Sequence, residues 1–233
     1  MSCPLKIIAM VQARMGSTRL PGKVLKLLNG QPVLQQIIRR LQKVANLSEI
    51  IIVTSNLAQD DPIEMLCQQM GIGCYRGSES NVFARYLDAI NQYQAELIIR
   101  ITGDCPLVSP EIIEEMISEY RPEIDYLSNC HPIRTVPVGL DVEIFSAKSF
   151  RQIASQITEQ YDLEHVTPFY YRHPENFNLA THTFKQLKLD IEQRLTLDTA
   201  ADLEVISEIY QRMANKEFFT LVEIVETYQK LAK

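Results

Sequence analysis

The sequence has no tryptophan, and its five cysteines include no Cys-x-x-Cys pair among 233 residues. An odd number of scattered cysteines argues against both a disulfide framework and a thiolate zinc site. No apolar run reaches the roughly 18 residues that a membrane-spanning helix needs. The first apolar stretch, residues 5–11, is too short for a signal-peptide core with its cleavage site. We therefore expect a cytoplasmic protein.

Acidic residues are missing from the first 48 positions, since the first one in the chain is Glu49. The same segment carries eight cationic residues, namely Lys6, Arg14, Arg19, Lys23, Lys26, Arg39, Arg40 and Lys43. The whole chain has a net charge of −6, which argues against a general binder of nucleic acids or anionic membranes. A basic segment on an acidic protein instead predicts a local site for a compact anion.

Apolar runs and helical patterns alternate along the first half of the chain. Strands are predicted at 5–11, 49–55, 73–76, 96–101 and 124–129, and helices at 31–46, 61–70, 81–95 and from Ser109-Pro110 onward. Wholly apolar strands that alternate with helices predict a three-layer α/β fold with a mostly parallel sheet. Ligands of such sheets bind beyond the carboxyl ends of the strands, so loops 12–23, 54–60 and 102–109 should form the site.

The pattern changes after about residue 130. Alternating segments at 138–146 and 176–184 predict strands, and the aromatic segment 164–174 predicts a short helix or loop. A Thr199…Asp202 capping box predicts a helix start, and 219–233 predicts a terminal amphipathic helix. No linker or repeat divides the chain, so we predict one domain over 1–233 with a β-rich insertion in its second half.

The loop between the first strand and the first helix has the sequence VQARMGSTRLPGKVL, residues 11–25. Glycines that expose backbone N–H groups, together with Arg14, Arg19 and Lys23, predict phosphate binding. The loop is not a P-loop, because five residues separate Gly16 from Gly22 and Val24 replaces the Mg²⁺-binding hydroxyl. A dinucleotide-binding G-x-G-x-x-G pattern is also absent. A purely solvated cationic surface is the alternative interpretation.

The segment QARMGSTRLPGKVL resembles the N-terminal signature of nucleotidyltransferases with a GT-A-like fold. More closely, the chain is similar to the cytidylyltransferase family of the spore coat polysaccharide biosynthesis protein F type, whose wider relatives are the acylneuraminate and Kdo cytidylyltransferases. Further matching segments follow in order and cover most of the chain: RGSESNVFARY, IIRITGDCPLVSPEII, VGLDVEIFS, EHVTPFYYRHPE and RLTLDTAADLEVI.

The resemblance implies that CTP and a sugar or sugar acid react to a CMP-sugar and pyrophosphate, for surface polysaccharide or glycan biosynthesis. It implies a nucleotide-binding half at 1–130 and a sugar-binding, closing half at 131–233. Homodimers are common among the relatives and remain an open option here. Three alternatives also remain: a nucleotidyltransferase for another nucleotide, a glycosyltransferase, or a non-catalytic nucleotide-binding protein.

The resemblance also assigns residues to the nucleotide. Arg14 and Lys23, together with Asp104, are the expected catalytic residues, because forked guanidinium groups and a point-charged ammonium group suit a triphosphate. The expected nucleotide contacts are Gln12, Ala13, Arg14, Met15, Gly16, Ser17, Arg19, Lys23, Ser55, Asn81 and Arg85. For Gln12, Ala13, Ser55 and Asn81, an ordinary loop or helix-cap role is at least as well supported.

Pyrophosphate departure normally needs Mg²⁺, which binds carboxylates and phosphate oxygens. The resemblance assigns the metal ligands to Asp104, in the TGD segment, and to Asp198. Some distant relatives carry a pair of acids where this chain has TGD. A turn residue is the alternative for Asp104, a carboxylate that favours the helix dipole is the alternative for Asp198, and Asp190 is a less favoured ligand. The number of metal ions stays open.

The sugar is expected at the second half, near Asp141, Glu143 and His165. Asp141 and Glu143 alternate along a predicted strand and so point to the same side. They are expected either to pair with Arg134 or His165 or to bind sugar hydroxyls. His165 is expected to contact the sugar or to be a structural, hydrogen-bonded histidine.

Overall fold

The computed structural model describes residues 5–184 and 190–231. Its centre is a sheet in which the strands lie in the order β5-β4-β1-β6-β8-β7-β9, beside a small β2–β3 hairpin. The strand bounds are β1 Ile7–Gln12, β2 Leu27–Leu28, β3 Gln31–Pro32, β4 Glu49–Ser55, β5 Gly73–Gly77, β6 Leu97–Thr102, β7 Tyr126–Ser128, β8 Glu143–Ser146 and β9 Leu179–Thr181.

The helices cover both faces of this sheet. Their bounds are α1 Val33–Leu41, α2 Asp61–Met70, α3 Val82–Gln92, α4 Pro110–Glu119, α5 Ala147–Ile153, α6 Gln160–His165, α7 Pro168–Arg172, α8 Ala200–Arg212 and α9 Leu221–Leu231. Along β1, Ala9 and Val11 pack with α1, α2, α4, α8 and α9, whereas Ile8 and Met10 face α3, α5 and α7. The predicted three-layer α/β arrangement is therefore confirmed.

The sheet is parallel across β5, β4, β1 and β6, as predicted. Strand β8 then runs antiparallel to both β6 and β7, and β9 pairs parallel with β7. Strands from both halves of the chain thus belong to one sheet. The division into a nucleotide-binding half and a sugar-binding half at residue 130 stays a prediction. Within the described residues, no helix is long and apolar enough to cross a membrane.

The structure corrects several element predictions in detail. The strand predicted over 138–146 begins only at Glu143, and the aromatic segment forms the two short helices α6 and α7. Helix α5 was not predicted; the Ser146 hydroxyl caps it by accepting the Ser149 N–H at 2.9 Å. The β2–β3 hairpin was not predicted either, although its Asn29-Gly30 turn is a strong hairpin signal. The terminal helix begins at Leu221 and is described as far as Leu231, because residues 232–233 lie outside the described residues.

The seam between the parallel and antiparallel parts of the sheet carries a buried ion pair. Arg100 of β6 lies opposite Glu143 of β8, and the two side chains form an ion pair. Glu143 also accepts hydrogen bonds from the Tyr126 hydroxyl at 2.5 Å and the Thr167 hydroxyl at 2.6 Å. Burial opposes the charge of Glu143, but Arg100 and the two hydroxyl groups outweigh it, so the pKa of Glu143 is lowered.

We expect Glu143→Gln to lower the free energy of unfolding by about 3 kcal/mol at pH 7, because Arg100 is left as an uncompensated buried charge. The folded pKa of Glu143 lies below its unfolded value of about 4.3, so the stabilisation is present above that pH and is lost as the pH falls through the folded pKa. Urea unfolding should show the gap between wild type and variant narrowing below about pH 4.

The control is Glu159→Gln, which removes an exposed partner of Arg172 and should leave the stability close to that of the wild type. A Glu143→Gln protein as stable as the wild type would contradict this account of the seam.

Candidate active site

A cavity of about 370 Å³ opens at the carboxyl ends of β1 and β6. These two strands are neighbours, and their last residues, Gln12 and Thr102, are paired in register. The cavity is lined by Gln12, Ala13, Arg14, Gly16, Ser17, Thr18, Arg19, Lys23, Val24, Thr102, Gly103, Asp104, His165 and Asp198. The structure thus brings together the loop 12–23, which we call the cationic loop, both expected metal ligands and His165.

Asp60, a buried residue directly before α2, anchors the cationic loop. One of its carboxylate oxygens accepts the Met15 N–H at 2.7 Å. The other accepts the Ser55 hydroxyl at 2.5 Å and the Thr54 hydroxyl at 3.2 Å. A buried carboxylate that accepts several hydrogen bonds is a rigid attachment point. The loop after β1 is therefore fixed to the loop after β4.

Two glycines shape the cavity wall, one by allowing a close approach of two backbone segments and the other by forming a left-handed turn. A side chain on Gly103 would lie 2.8 Å from the Gln12 carbonyl oxygen, and the Gly103 N–H donates to that same oxygen at 2.7 Å. Gly22 adopts a left-handed conformation with φ of 66° directly before the short 3₁₀ helix Lys23–Leu25. This turn, which glycine adopts without strain, starts the helix that carries Lys23.

Lys23 forms a bridge between two carboxylates that are distant in sequence. Its ammonium nitrogen Nζ donates to Asp104 Oδ2 at 2.8 Å and to Asp198 Oδ1 at 2.9 Å. Burial opposes the charge of Lys23, but the two acids outweigh it, so the pKa of Lys23 is raised above its ordinary value. Lys23 stays protonated at neutral pH and holds the two sides of the cavity together.

Backbone and hydroxyl contacts hold the two acids in place. The Thr102 hydroxyl donates to Asp104 Oδ1 at 2.5 Å. The Asp104 carbonyl oxygen accepts the Leu197 N–H at 2.8 Å and the Thr196 hydroxyl at 3.1 Å. The segment that carries Asp198 is therefore attached to the backbone of Asp104, so the two carboxylates form one preorganised pair.

Asp198 has more cationic neighbours than Asp104. Arg19 Nη2 lies 3.3 Å and Arg194 Nη2 lies 3.6 Å from Asp198 Oδ2. Burial opposes ionisation of Asp198, but Lys23, Arg19 and Arg194 together lower its pKa. Arg14, by contrast, is exposed and makes no ion pair with any residue of 5–184 or 190–231. It is free to meet an anionic ligand.

His165 lies at the end of α6, where it is exposed and lines the cavity. The residue after it, Val166, has a φ of 75°, which is strained for a β-branched side chain. Thr167 is tied to Glu143 by its hydroxyl, and its N–H donates to the His165 carbonyl oxygen at 2.9 Å. The buried seam therefore supports the turn that presents His165.

Two of the three expected sugar contacts do not reach the cavity wall. Glu143 is buried in the seam and occupied by Arg100, so its expected substrate contact is corrected to a supporting role. Asp141 pairs with Arg134, which is one of the partners expected from the sequence. Arg134 Nη2 lies 3.4 Å from Asp141 Oδ2. Burial raises the pKa of Asp141 despite this pairing.

Several expected nucleotide contacts also lie behind the wall. Ser55 is fully buried and donates its hydroxyl to Asp60, and Met15 has its N–H taken by the same carboxylate. The Asn81 side chain accepts the Ala84 N–H at 2.8 Å and thereby caps α3. For Ser55 and Asn81 the loop and cap alternatives are therefore the ones that the structure favours. Arg85 is 1% exposed, and its Nε and Nη1 have no partner among the described residues.

Sequence reasoning missed Asp60, Thr102 and Arg194. Asp60 stands beside Asp61-Pro62, which is a strong helix-start signal, and no sequence pattern indicates its contact with Met15. Thr102 precedes Asp104 by two residues, which allows a hydroxyl–carboxylate contact that the spacing could have indicated. Arg194 precedes Asp198 by four residues, but that stretch is not helical, so no helical pairing rule indicated the contact.

Comparison with known proteins gives concordant results. The family model described as Cytidylyltransferase matches residues 8–222. The spore coat polysaccharide biosynthesis protein SpsF of Bacillus subtilis is 32% identical over 225 residues, which cover 94% of this chain and 92% of that protein. The 3-deoxy-manno-octulosonate cytidylyltransferase of Escherichia coli is 29% identical over 133 residues, covering 55% of this chain and 52% of that protein.

A solved structure shows the same architecture over nearly the whole chain. The cytidylyltransferase from Leptospira borgpetersenii aligns with a TM-score of 0.90 and 30% identity, covering 98% of this chain and 95% of that one. The family match spans most of the chain, including the cationic loop, Asp104, His165 and Asp198. The chain belongs to the cytidylyltransferase family and is a nucleotidyltransferase enzyme.

Proposed function

We propose that the protein uses CTP and Mg²⁺ to convert a sugar or sugar acid into a CMP-sugar with release of pyrophosphate, for surface polysaccharide or glycan biosynthesis. The observation that carries this proposal is the bridge that Lys23, at the end of the cationic loop, forms between Asp104 and Asp198. The names of the relatives support the substrate class, since two of them concern spore coat polysaccharide biosynthesis and an eight-carbon sugar acid.

The cationic loop suits the triphosphate. In the reaction, a sugar oxygen attacks the α-phosphorus, the bond to the bridging oxygen breaks, and pyrophosphate leaves. Most of the catalysis in such transfers is alignment and charge stabilisation rather than covalent chemistry. Arg14 has no ion-pair partner in the part of the chain that the structure describes, and Arg19 is exposed, so both can turn toward β- and γ-phosphate oxygens. Lys23 could contact the α-phosphate or the leaving oxygen once its hydrogen bond to one of the two carboxylates is broken.

The acid pair fits a divalent cation. Asp104 Oδ2 and Asp198 Oδ1 both lie within 3 Å of one ammonium nitrogen, so a single cation can already be shared by both carboxylates. Hard oxygen ligands of this kind are what Mg²⁺ prefers. Asp104 and Asp198 would hold the ion, and the ion would supply charge neutralisation at the phosphate oxygens. In the free protein, Lys23 supplies the positive charge at this point.

The sugar is placed on the side of His165. The imidazole ring lies 4.5 Å from the ring of Tyr161, centroid to centroid, and both side chains are exposed. An aromatic side chain beside a hydrogen-bonding ring offers one stacking surface and one polar group to a sugar. The cytoplasmic location and a homodimeric assembly remain predictions.

Substitution of the bridge should stop the reaction. We expect Lys23→Ala and Asp104→Asn each to lower pyrophosphate release by about 10²-fold or more, the usual loss when one preorganised charge contact is removed. The assay mixes CTP, Mg²⁺ and a panel of sugars and sugar acids, and it follows pyrophosphate and the mass of the CMP adduct.

The matched control for this assay is Lys26→Ala, three residues further along, whose side chain lies outside the cavity lining. It should keep the wild-type rate. Rates within about threefold of wild type in both bridge variants would refute the assigned roles. Faster turnover of UTP, GTP or dTTP would replace CTP in the proposal, and binding of CTP without any turnover would favour the non-catalytic alternative.

The acid pair should also be measurable without nucleotide. If Lys23 competes with a metal ion for the two carboxylates, Lys23→Met should bind Mn²⁺ about tenfold more tightly than the wild type, which corresponds to about 1.4 kcal/mol. Electron paramagnetic resonance of free Mn²⁺ measures this affinity. The double variant Lys23→Met/Asp104→Asn should lose the gain, whereas unchanged Mn²⁺ affinity in Lys23→Met would show that the acids hold no metal.

Arg85 is a candidate nucleotide contact, although it does not line the cavity as the structure describes it. Burial lowers the pKa of its guanidinium group, and Asp60 and Arg14 are among its charged neighbours. Two buried, unpartnered nitrogens carry a desolvation penalty that a ligand oxygen would relieve. The carbonyl and ring nitrogen of a pyrimidine are acceptors of the required kind.

Replacement of Arg85 should separate binding from folding. We expect Arg85→Met to keep or raise the thermal midpoint, because an unpartnered buried charge is removed, while the Kd for CTP rises about tenfold or more. Calorimetric titration with CTP checks this, with Arg151→Met, an exposed arginine remote from the cavity lining, as control. A strong loss of stability with unchanged CTP affinity would make Arg85 a structural residue.

A further inference from the structure

A second cavity, of about 380 Å³, lies between α1 and the segment just before α9. It shares no lining residue with the active-site cavity. It is lined by Gln36, Arg39, Arg40, Gln42, Lys43, Tyr210, Glu217, Phe218 and Phe219. The proposed function makes no use of this cavity.

Arg40 is an unusual residue for a cavity wall, because it is only 4% exposed and yet incompletely paired. Its Nε donates to the Val108 carbonyl oxygen at 2.6 Å, and its Nη1 donates to the Phe219 carbonyl oxygen at 3.1 Å. Its Nη2 is buried and has no hydrogen-bond partner among the described residues. Such a donor pays the full desolvation penalty unless an acceptor is supplied.

Aromatic rings fix the orientation of this guanidinium group. Its central carbon lies 4.9 Å from the ring centroid of Phe218 and 4.8 Å from that of Phe219. The ring of Tyr210 packs edge-on against Phe219 at 5.1 Å. A cation held by two rings and two carbonyl oxygens keeps its free nitrogen in one position, which is the preorganisation that an anion site requires.

The charges around Arg40 favour a dianion. Arg39 and Lys43 are exposed cationic residues of the same cavity wall, and Glu217 is the acidic residue that lines it. Glu217 is almost fully exposed and lies 3.5 Å from Lys43, so it screens the cations only weakly. Glu111, which does not line the cavity, also interacts with the charge of Arg40. The lining itself carries three positive charges against one negative charge, which favours an oxyanion with about two negative charges at neutral pH.

We propose that this cavity is a second anion site that binds a phosphoryl oxyanion, with Arg40 Nη2 as the buried donor and Arg39 and Lys43 as the outer cations. Free phosphate, free pyrophosphate and the phosphoryl group of a nucleotide share this chemistry. The aromatic residues beside the cations give a nucleotide an additional surface on which to stack.

The site lies behind the loop that carries Asp104. Arg40 bonds to Val108, and the Tyr210 hydroxyl donates to the Pro106 carbonyl oxygen at 2.7 Å. Both acceptors belong to the loop 102–109 that places Asp104 in the active site. An anion bound at Arg40 would therefore contact a side chain that also supports the loop of Asp104.

The test must separate the two anion sites, so it uses the double variant Arg14→Gln/Lys23→Ala as background. This background removes the unpaired arginine and the bridging lysine of the first site and leaves its two carboxylates to repel anions. Phosphate, pyrophosphate and CMP are each titrated into it by calorimetry without metal ions. We expect saturable binding of one ion per chain, and preference among the three probes identifies the source of the phosphoryl group.

Adding Arg39→Gln and Lys43→Gln should weaken this binding about tenfold or more, since neither residue contributes to the bonds that hold Arg40. The matched control adds Lys148→Gln and Lys230→Gln, which remove the same charge elsewhere on the surface and should change the Kd less than about twofold. Absence of saturable binding, or binding that survives Arg39→Gln/Lys43→Gln, would overturn the proposal.

A crystal of the wild-type protein grown with pyrophosphate gives a second readout. Density for the anion within hydrogen-bond distance of Arg40 Nη2 supports the proposal. Density at the active site alone contradicts it. Arg39→Gln/Lys43→Gln should retain pyrophosphate release from CTP in saturating substrate, so loss of this second site is distinguishable from failure of the proposed reaction.

Discussion

The ammonium group of Lys23 between Asp104 and Asp198 is the contact on which the site depends. It joins the loop after β1, the loop after β6 and the segment before α8, which are distant in sequence and converge only in the fold. Two carboxylates so close to each other repel unless a cation is shared between them. Lys23 meets this requirement in the structure. In the proposed reaction, Asp104 and Asp198 would hold a metal ion that would supply the same charge, so that Lys23 could contact the phosphate oxygens. The same charge balance therefore accounts for how the two acids are held and for the chemistry proposed for them.

Buried carboxylates elsewhere perform the corresponding task for the walls of the cavity. Asp60 fixes the cationic loop by its Met15 contact, and Glu143 fixes the turn behind His165 through Thr167. Neither acid lines the cavity, yet each limits the movement of a wall that does. Preorganised polar groups of this kind need no rearrangement during a reaction, which is the basis of electrostatic catalysis. Arg40 is the cationic counterpart, since it ties the Asp104 loop to the segment before α9.

Much of this arrangement could be predicted from the sequence, because the informative signals are local. Apolar strands that alternate with helices predicted the sheet, and the edge rule for parallel sheets placed Arg14, Lys23 and Asp104 together. The supporting contacts could not be predicted, because they join positions such as Asp60 and Met15 whose separation carries no periodic signal. Glu143 illustrates the limit: alternation along the chain gave its side of the strand, but only the pairing with β6 showed that Arg100 occupies it. A family resemblance supplied the reaction, which neither spacing nor composition contains.

The most direct test of the account is a crystal structure of the wild-type protein with CTP and Mn²⁺, read by the anomalous signal of manganese. The account predicts a manganese peak that both Asp104 and Asp198 ligate, and it predicts Lys23 Nζ beyond hydrogen-bond distance of at least one acid and in contact with a phosphate oxygen. A nucleotide bound away from the cationic loop, or a Lys23 that still bridges both carboxylates with the metal elsewhere, would contradict it.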